Sequence, residues 1–224
     1  MNGIGEFISG VKKGLPVAVG YLPIAIAFGA VATGSHLSPH EAVLMSAFVF
    51  AGASQFMAAS MILAGADALQ IIIATFFINL RHLVMSMAVH HRMRRASTPW
   101  RAIVSFGITD ETFALLTMGN DVEPTPLYAI GLMGIAYAGW VVGTAIGSFG
   151  AQIIPSSVGA SMTVGLYAMF IGLLVPHARK SWQVTLIAVV SMVLNTVFSS
   201  FMSMGWSIVL STILGATVGV ILAK

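Results

Sequence analysis

The sequence predicts an all-α polytopic membrane protein with about six full transmembrane helices and two re-entrant or broken segments. Composition, apolar segment length and the placement of basic residues predict it. Hydrophobic residues make up 58% of the 224-residue chain and charged residues 8%; mean hydropathy is +0.95. A soluble domain carries about 25% charged residues, so this chain cannot cover a water-exposed surface but can cover a lipid-exposed one. At about 20 apolar residues per crossing, at most about eight spans fit. No linker or low-complexity run divides them, so residues 1–224 are expected to form a single transmembrane domain.

In chain order the candidate segments are about 15–34, 41–64, 68–90, 101–118, 126–149, 158–176, 183–202 and 205–223. Ahead of the first, Ile4, Phe7, Ile8, Val11 and Leu15 fall near helical spacing, which suits a short interfacial stretch. Lys12 and Lys13 then precede a long apolar span without a short apolar core and small-residue cleavage site, so no removable signal peptide is expected. Ser38-Pro39 ahead of Glu41 reads as a helix cap. Two segments are irregular: Gly52-Ala53-Ser54-Gln55 interrupts 41–64, and Thr109-Asp110-Glu111 sits in the middle of 101–118.

The basic residues test the topology, because cytoplasmic loops carry the excess of Lys and Arg. Outside the apolar spans they are Lys12, Lys13, Arg92, Arg94, Arg95, Arg101, Arg179, Lys180 and Lys224. If all eight segments cross, some of these clusters must lie outside. If 41–64 and 101–118 dip in and return from opposite faces, every basic loop is cytoplasmic and so are both termini. The alternative is that 41–64, long enough to span, simply crosses. Opposed broken segments belong to inverted-repeat architectures, although the halves share no evident sequence identity.

Chemistry is confined to a few positions. The absence of cysteine excludes disulfides, thiolate metal sites and cysteine nucleophiles. No metal or cofactor is expected, because His40-Glu41 lacks the second histidine of a zinc motif and no phosphate-binding Gly-rich loop appears. The net charge of +3 suits loops against an anionic lipid leaflet rather than nucleic acid. Arg81 lies too deep in 68–90 for easy snorkelling, and an intramembrane charge marks a functional site. Its guanidinium suits a carboxylate ligand, or a permanent pairing with Asp110 or Glu111. The same helix places Thr75, Asn79, His82, Ser86 and His90 on one polar stripe. His82 reads as a hydrogen-bonded packing residue or a proton carrier. Asp110 and Glu111 read as proton-coupling or ammonium-binding groups, or as interfacial acids near Arg101. At Gly52, Ser54 and Gln55 a half-helix N-terminus would aim N–H groups at a carboxylate; a tight packing notch is the other reading. Gly139, Gly143 and Gly147, with Gly215 and Gly219, form small faces for close helix packing, within the chain or against another. Ser191, Asn195 and Ser199 form a second stripe, lining a cavity or joining helices.

Gly52-Ala-Ser-Gln-Phe56, Asn79-Leu-Arg-His82 and Thr109-Asp-Glu-Thr-Phe113 occur in that order, after Gly14-Leu-Pro-Val-Ala-Val-Gly-Tyr-Leu-Pro23 and Ala27-Phe-Gly29. This set resembles the azaleucine-resistance (AzlC) family, large permease subunits of branched-chain amino acid exporters, over roughly residues 5–224. Where many relatives carry an acid and a proline, Met162–Phe170 has neither. The resemblance implies a bacterial inner-membrane secondary exporter of leucine, isoleucine and valine, with methionine a close analogue, working with a small membrane subunit and no enzyme activity. On that reading Gly52, Ser54, Gln55, Asn79 and Arg81 bind substrate, and His82, Asp110 and Glu111 bind the ammonium group or couple a proton. The alternatives are a passive channel or a scaffold for another membrane protein. An intramembrane hydrolase would need Ser54 activated by a base such as His82.

Overall fold

The computed structural model describes residues 3–94, 96–117, 124–151, 171, 174–175, 178–202 and 204–222. Every regular element among them is an α-helix. They are α1 (Gly3–Gly34), α2 (Pro39–Val49), α3 (Gly52–Leu63), α4 (Ala68–Arg92), α5 (Thr98–Phe106), α6 (Asp110–Thr117), α7 (Pro126–Gly150), α8 (Trp182–Ser199) and α9 (Met204–Leu222). α1, α4, α7 and α8 are each long and apolar enough to cross a bilayer. α4 turns Leu69, Ile72, Phe76, Leu83 and Met87 outward, as a lipid-facing helix does. The chain is an all-α polytopic membrane protein. The expected span 158–176, with Met162–Phe170, lies almost wholly outside the described residues.

The interfacial stretch expected before the first span is instead the start of α1, which runs unbroken from Gly3 through Pro16 and Pro23. Its partner α7 explains the continuity. The two helices run parallel: Gly131 of α7 packs on Phe7 of α1, Gly139 on Ala18 and Gly147 on Ile26. Their backbones approach so closely that a Cβ at Gly10 would drive into the Tyr128 carbonyl, and one at Gly147 into the Ile26 carbonyl. Without water, such van der Waals contact is what joins transmembrane helices. At the other end of the chain, Gly215 and Gly219 of α9 lie against Ser191 and Ile187 of α8. Asn195 of α8 donates to Ser211 Oγ at 3.3 Å and its carbonyl accepts from Ser207 at 2.9 Å. Both small faces therefore pack within this chain, and Ser191 and Asn195 of the second polar stripe join α8 to α9, whereas Ser199 bonds within α8.

The irregular segments are two helical hairpins. α2 starts with a capping box, in which Ser38 and Glu41 exchange hydrogen bonds across the first turn, with Pro39 opening the helix. It then descends α7 antiparallel to it. His40 stacks edge-on against Phe149, Ser46 bonds Thr144 at 2.7 Å, and the Tyr137 hydroxyl donates to the Ala47 carbonyl at 2.9 Å. The chain breaks at Phe50-Ala51, just before the glycine expected to interrupt it, and Phe50 adopts the left-handed conformation at φ 44°. α3 then climbs back toward the same end: Phe50 packs on Tyr21 of α1, whereas Phe56 packs on Phe28.

α5 and α6 repeat the arrangement from the other end. Ser105 meets His90 at 3.3 Å and Phe106 packs on Tyr137, near the middle of α7. After the break at 107–109, Asp110 meets Arg81, and Arg92 near the end of α4 donates to the Thr117 carbonyl at 2.5 Å. Each hairpin leaves at the end where it began, and the tips touch, with Phe50 and Phe106 centroids 6.5 Å apart. Irregular backbone at membrane depth is tolerated where protein or a cavity covers it, and here both conditions hold.

Candidate functional site

Where the tips meet lies a small cavity of about 40 Å³, room for a few water molecules. Its lining divides into two walls. Tyr21, Trp140 and the Phe50–Ala53 break form an aromatic and small-residue wall; Arg81, His82, Thr109, Asp110 and Glu111 form a polar one.

The polar wall is built by α4 and the N-terminus of α6. Arg81 Nη1 pairs with Asp110 Oδ2 at 2.6 Å, and both side chains are about one-third exposed, at 35%. Arg81 Nε is buried without a partner, as is Asn79 Oδ1. The guanidinium thus holds one acid and keeps donor capacity for a second. The Tyr21 hydroxyl hydrogen-bonds the Glu111 carboxylate and meets Thr109 Oγ1 at 2.6 Å. Asp110 and Glu111 occupy the first turn of α6, where acids complement the helix dipole. Thr109 and Thr112 bond each other's backbone N–H groups, and Thr112 donates to the Gly107 carbonyl at 3.0 Å. The Thr109 and Thr112 N–H groups and the Gly107 carbonyl are thereby paired within the break.

The opposite wall begins at the N-terminus of α3. The first N–H groups of a helix have no intrahelical partner, and no side chain caps these. Gly52 and Ala53 present this uncapped end to the cavity. Gly52 is required by packing: a Cβ there would stand 2.7 Å from Trp140 Cη2.

Five of the residues singled out from the sequence therefore line one cavity: Gly52, Arg81, His82, Asp110 and Glu111. Ser54, Gln55 and Asn79 lie behind it. Gln55 is fully buried; its amide oxygen accepts from Trp140 Nε1 at 3.0 Å and from the Ala51 N–H, and its nitrogen donates to Ser46 at 2.9 Å. Ser54 donates to the Ala51 carbonyl at 2.9 Å and accepts from Asn79 at 3.1 Å. Neither of its hydrogen bonds is to His82. Tyr21, Phe50 and Trp140 were not foreseen, because single aromatics in apolar helices carry no periodic or charge signal; Tyr21 nonetheless lies inside one of the family-like motifs. Among the described residues no cluster of His, Asp and Glu could hold a metal ion.

Comparison with known proteins covers this whole region. A family model described as AzlC protein matches residues 16–154, a span that contains every cavity-lining residue. The chain is similar to "Inner membrane protein YgaZ" of Escherichia coli (strain K12), 31% identical over 185 residues, 80% of this chain and 76% of that one. An "Uncharacterized membrane protein" of Archaeoglobus fulgidus is 32% identical over 175 residues, 77% of this chain and 76% of its own length. The "Branched-chain amino acid transport protein AzlC" of Bacillus subtilis (strain 168) is 25% identical over 179 residues, 78% and 68% of the two chains. No solved structure matches the chain significantly.

Proposed function

The chain belongs to the AzlC family, and on that premise we propose that it is the large subunit of a secondary exporter of branched-chain amino acids, working with a small membrane partner in the bacterial inner membrane. Its relative in Bacillus subtilis is named for branched-chain amino acid transport. Residues 1–224 act as one permease domain with both termini cytoplasmic, the orientation that keeps every basic loop on one side.

The observation that carries the reading is the Arg81–Asp110 ion pair in a cavity faced by an uncapped helix N-terminus. A free amino acid is a zwitterion. Its carboxylate takes Arg81 and the N–H groups at Gly52 and Ala53, an anion site of the kind half-helices provide in transporters. Its ammonium group takes Asp110. Two intermolecular pairs replace the internal one, so no charge is left uncompensated; a simple amine or fatty acid would leave one. Glu111 carries the coupling proton, a role supported by its hydrogen bond from Tyr21 in the cavity wall. Since the cavity holds only a few waters, leucine binding requires the hairpins to part.

Leucine efflux from preloaded cells tests this, with the chain expressed alone, with its small partner, and as Arg81→Ala. Efflux is expected to need the partner and to fall to background in a well-expressed Arg81→Ala variant. Unchanged efflux in that variant sinks the site, and no amino acid efflux in any pairing sinks the function.

A further inference from the structure

The charged wall explains how an amino acid is held but not which one. We propose that Trp140, seated against Gly52, is the surface that selects the substrate side chain and makes the site one for mid-sized, unfunctionalised aliphatic amino acids; this rests on the amino-acid reading above.

The cavity has an orientation. With the α-carboxylate on Arg81 and the Gly52 and Ala53 N–H groups and the ammonium on Asp110, the side chain must point away from all three. The surface left to face it consists of the rings of Tyr21, Trp140 and Phe50, with Gly52 set against the Trp140 ring. This wall offers no free side-chain hydrogen-bonding group. The indole N–H of Trp140 donates to Gln55, and the Tyr21 hydroxyl is held by Thr109 and Glu111. A hydroxyl or amide on the substrate would therefore be desolvated without a partner, which disfavours threonine against valine and glutamine against leucine.

The wall is also rigid, so it measures size. Trp140 stacks on Phe28 and lies edge-on to Tyr21, with centroids 6.2 and 5.6 Å away. Gln55 fixes the ring by its nitrogen, and Gln55 is itself held by Ser46, which bonds Thr144 one turn along α7 from Trp140. The ring reaches Gly52 so closely that a single Cβ would have to displace it. Depth at this point is thus set by two residues from different elements, and altering either should move selectivity in opposite directions.

Binding to the purified full-length chain in lipid nanodiscs tests the proposal, with radiolabelled leucine displaced by alanine, valine, threonine and phenylalanine. The parent should bind valine at least about tenfold more tightly than threonine, within the range apolar pockets reach for a hydroxyl. Gly52→Ala should lower leucine affinity about tenfold or more relative to alanine, one methyl group's volume being lost from the pocket. Trp140→Phe should shift the phenylalanine-to-leucine ratio upward by a similar factor. Combining the two should return the ratios toward the parent's. Should either variant misfold, the other still reports the ratio. Ratios that stay at parental values in folded variants, or threonine binding as well as valine, overturn the proposal. A parent that binds amino acids with these ratios unmoved leaves the transport reading standing. A parent that binds no amino acid overturns both.

Discussion

The two hairpins are built alike and finished differently. Each starts behind a serine followed by a nearby proline, breaks at membrane depth beside an aromatic (Phe50 or Phe106), and resumes with a helix whose N-terminus faces the cavity. In α5–α6 that N-terminus carries its own acids and its own threonine cap. In α2–α3 it carries neither; the break is held from behind, by Gln55 reaching Ser46 and Trp140. One hairpin brings negative charge to the site and the other leaves a positive helix end open to it. The proposed substrate, a zwitterion, would meet both.

Making the hairpins alike should do the most damage. Ala53→Asp gives α3 the acid that α6 has. The helix itself tolerates an acid there, by about 0.3–1 kcal/mol in its favour, but the acid occupies the place of the substrate carboxylate. Leucine affinity should fall at least about tenfold, roughly 1.4 kcal/mol, with Ala53→Ser near the parent. Displacement of labelled leucine measures it, and unchanged affinity in Ala53→Asp would mean the α3 end is not the anion site.

The internal supports should separate next. Gln55→Leu strands the Trp140 and Ala51 N–H groups, tied across three elements, and should cost about 3 kcal/mol. Thr112→Val unties groups within one hairpin only and should cost about 2 kcal/mol. Chemical unfolding in detergent compares them; the reverse order would assign the tighter support to α5–α6.

The smallest effect lies at the outer ends. Ser38→Ala removes a formed capping box and should destabilise by about 1 kcal/mol. Ser97 makes no side-chain cap bond, so Ser97→Ala should leave the melting midpoint close to the parent's.

Charge and periodicity made part of this legible beforehand. A deep arginine and two acids at membrane depth demand company, and Arg81 and Asp110 do meet. The distribution of basic residues pointed to hairpins from opposite faces because only that arrangement puts every Lys- and Arg-bearing loop on one side. Exact break points were less visible. Gly52 suggested the interruption, but the break falls at Phe50-Ala51, and Gly52 instead opens α3 and gives clearance against Trp140. Gln55 shows the limit most clearly: a lone amide in an apolar run signals an obligatory partner without saying whether that partner is protein or ligand, and here it is a tryptophan 85 positions away.

The parallel pairing of α1 and α7 has a mechanical consequence. Where backbone meets backbone through glycine at both ends of the contact, sliding by a single residue would force side chains into main-chain atoms. Close-packed surfaces have discrete settings rather than continuous travel. The pair therefore behaves as an axle, and displacement falls to the parts hung on it by a few side-chain bonds. Motion in this protein is expected in the α5–α6 blade, pivoting at 107–109, while α1 and α7 stay still.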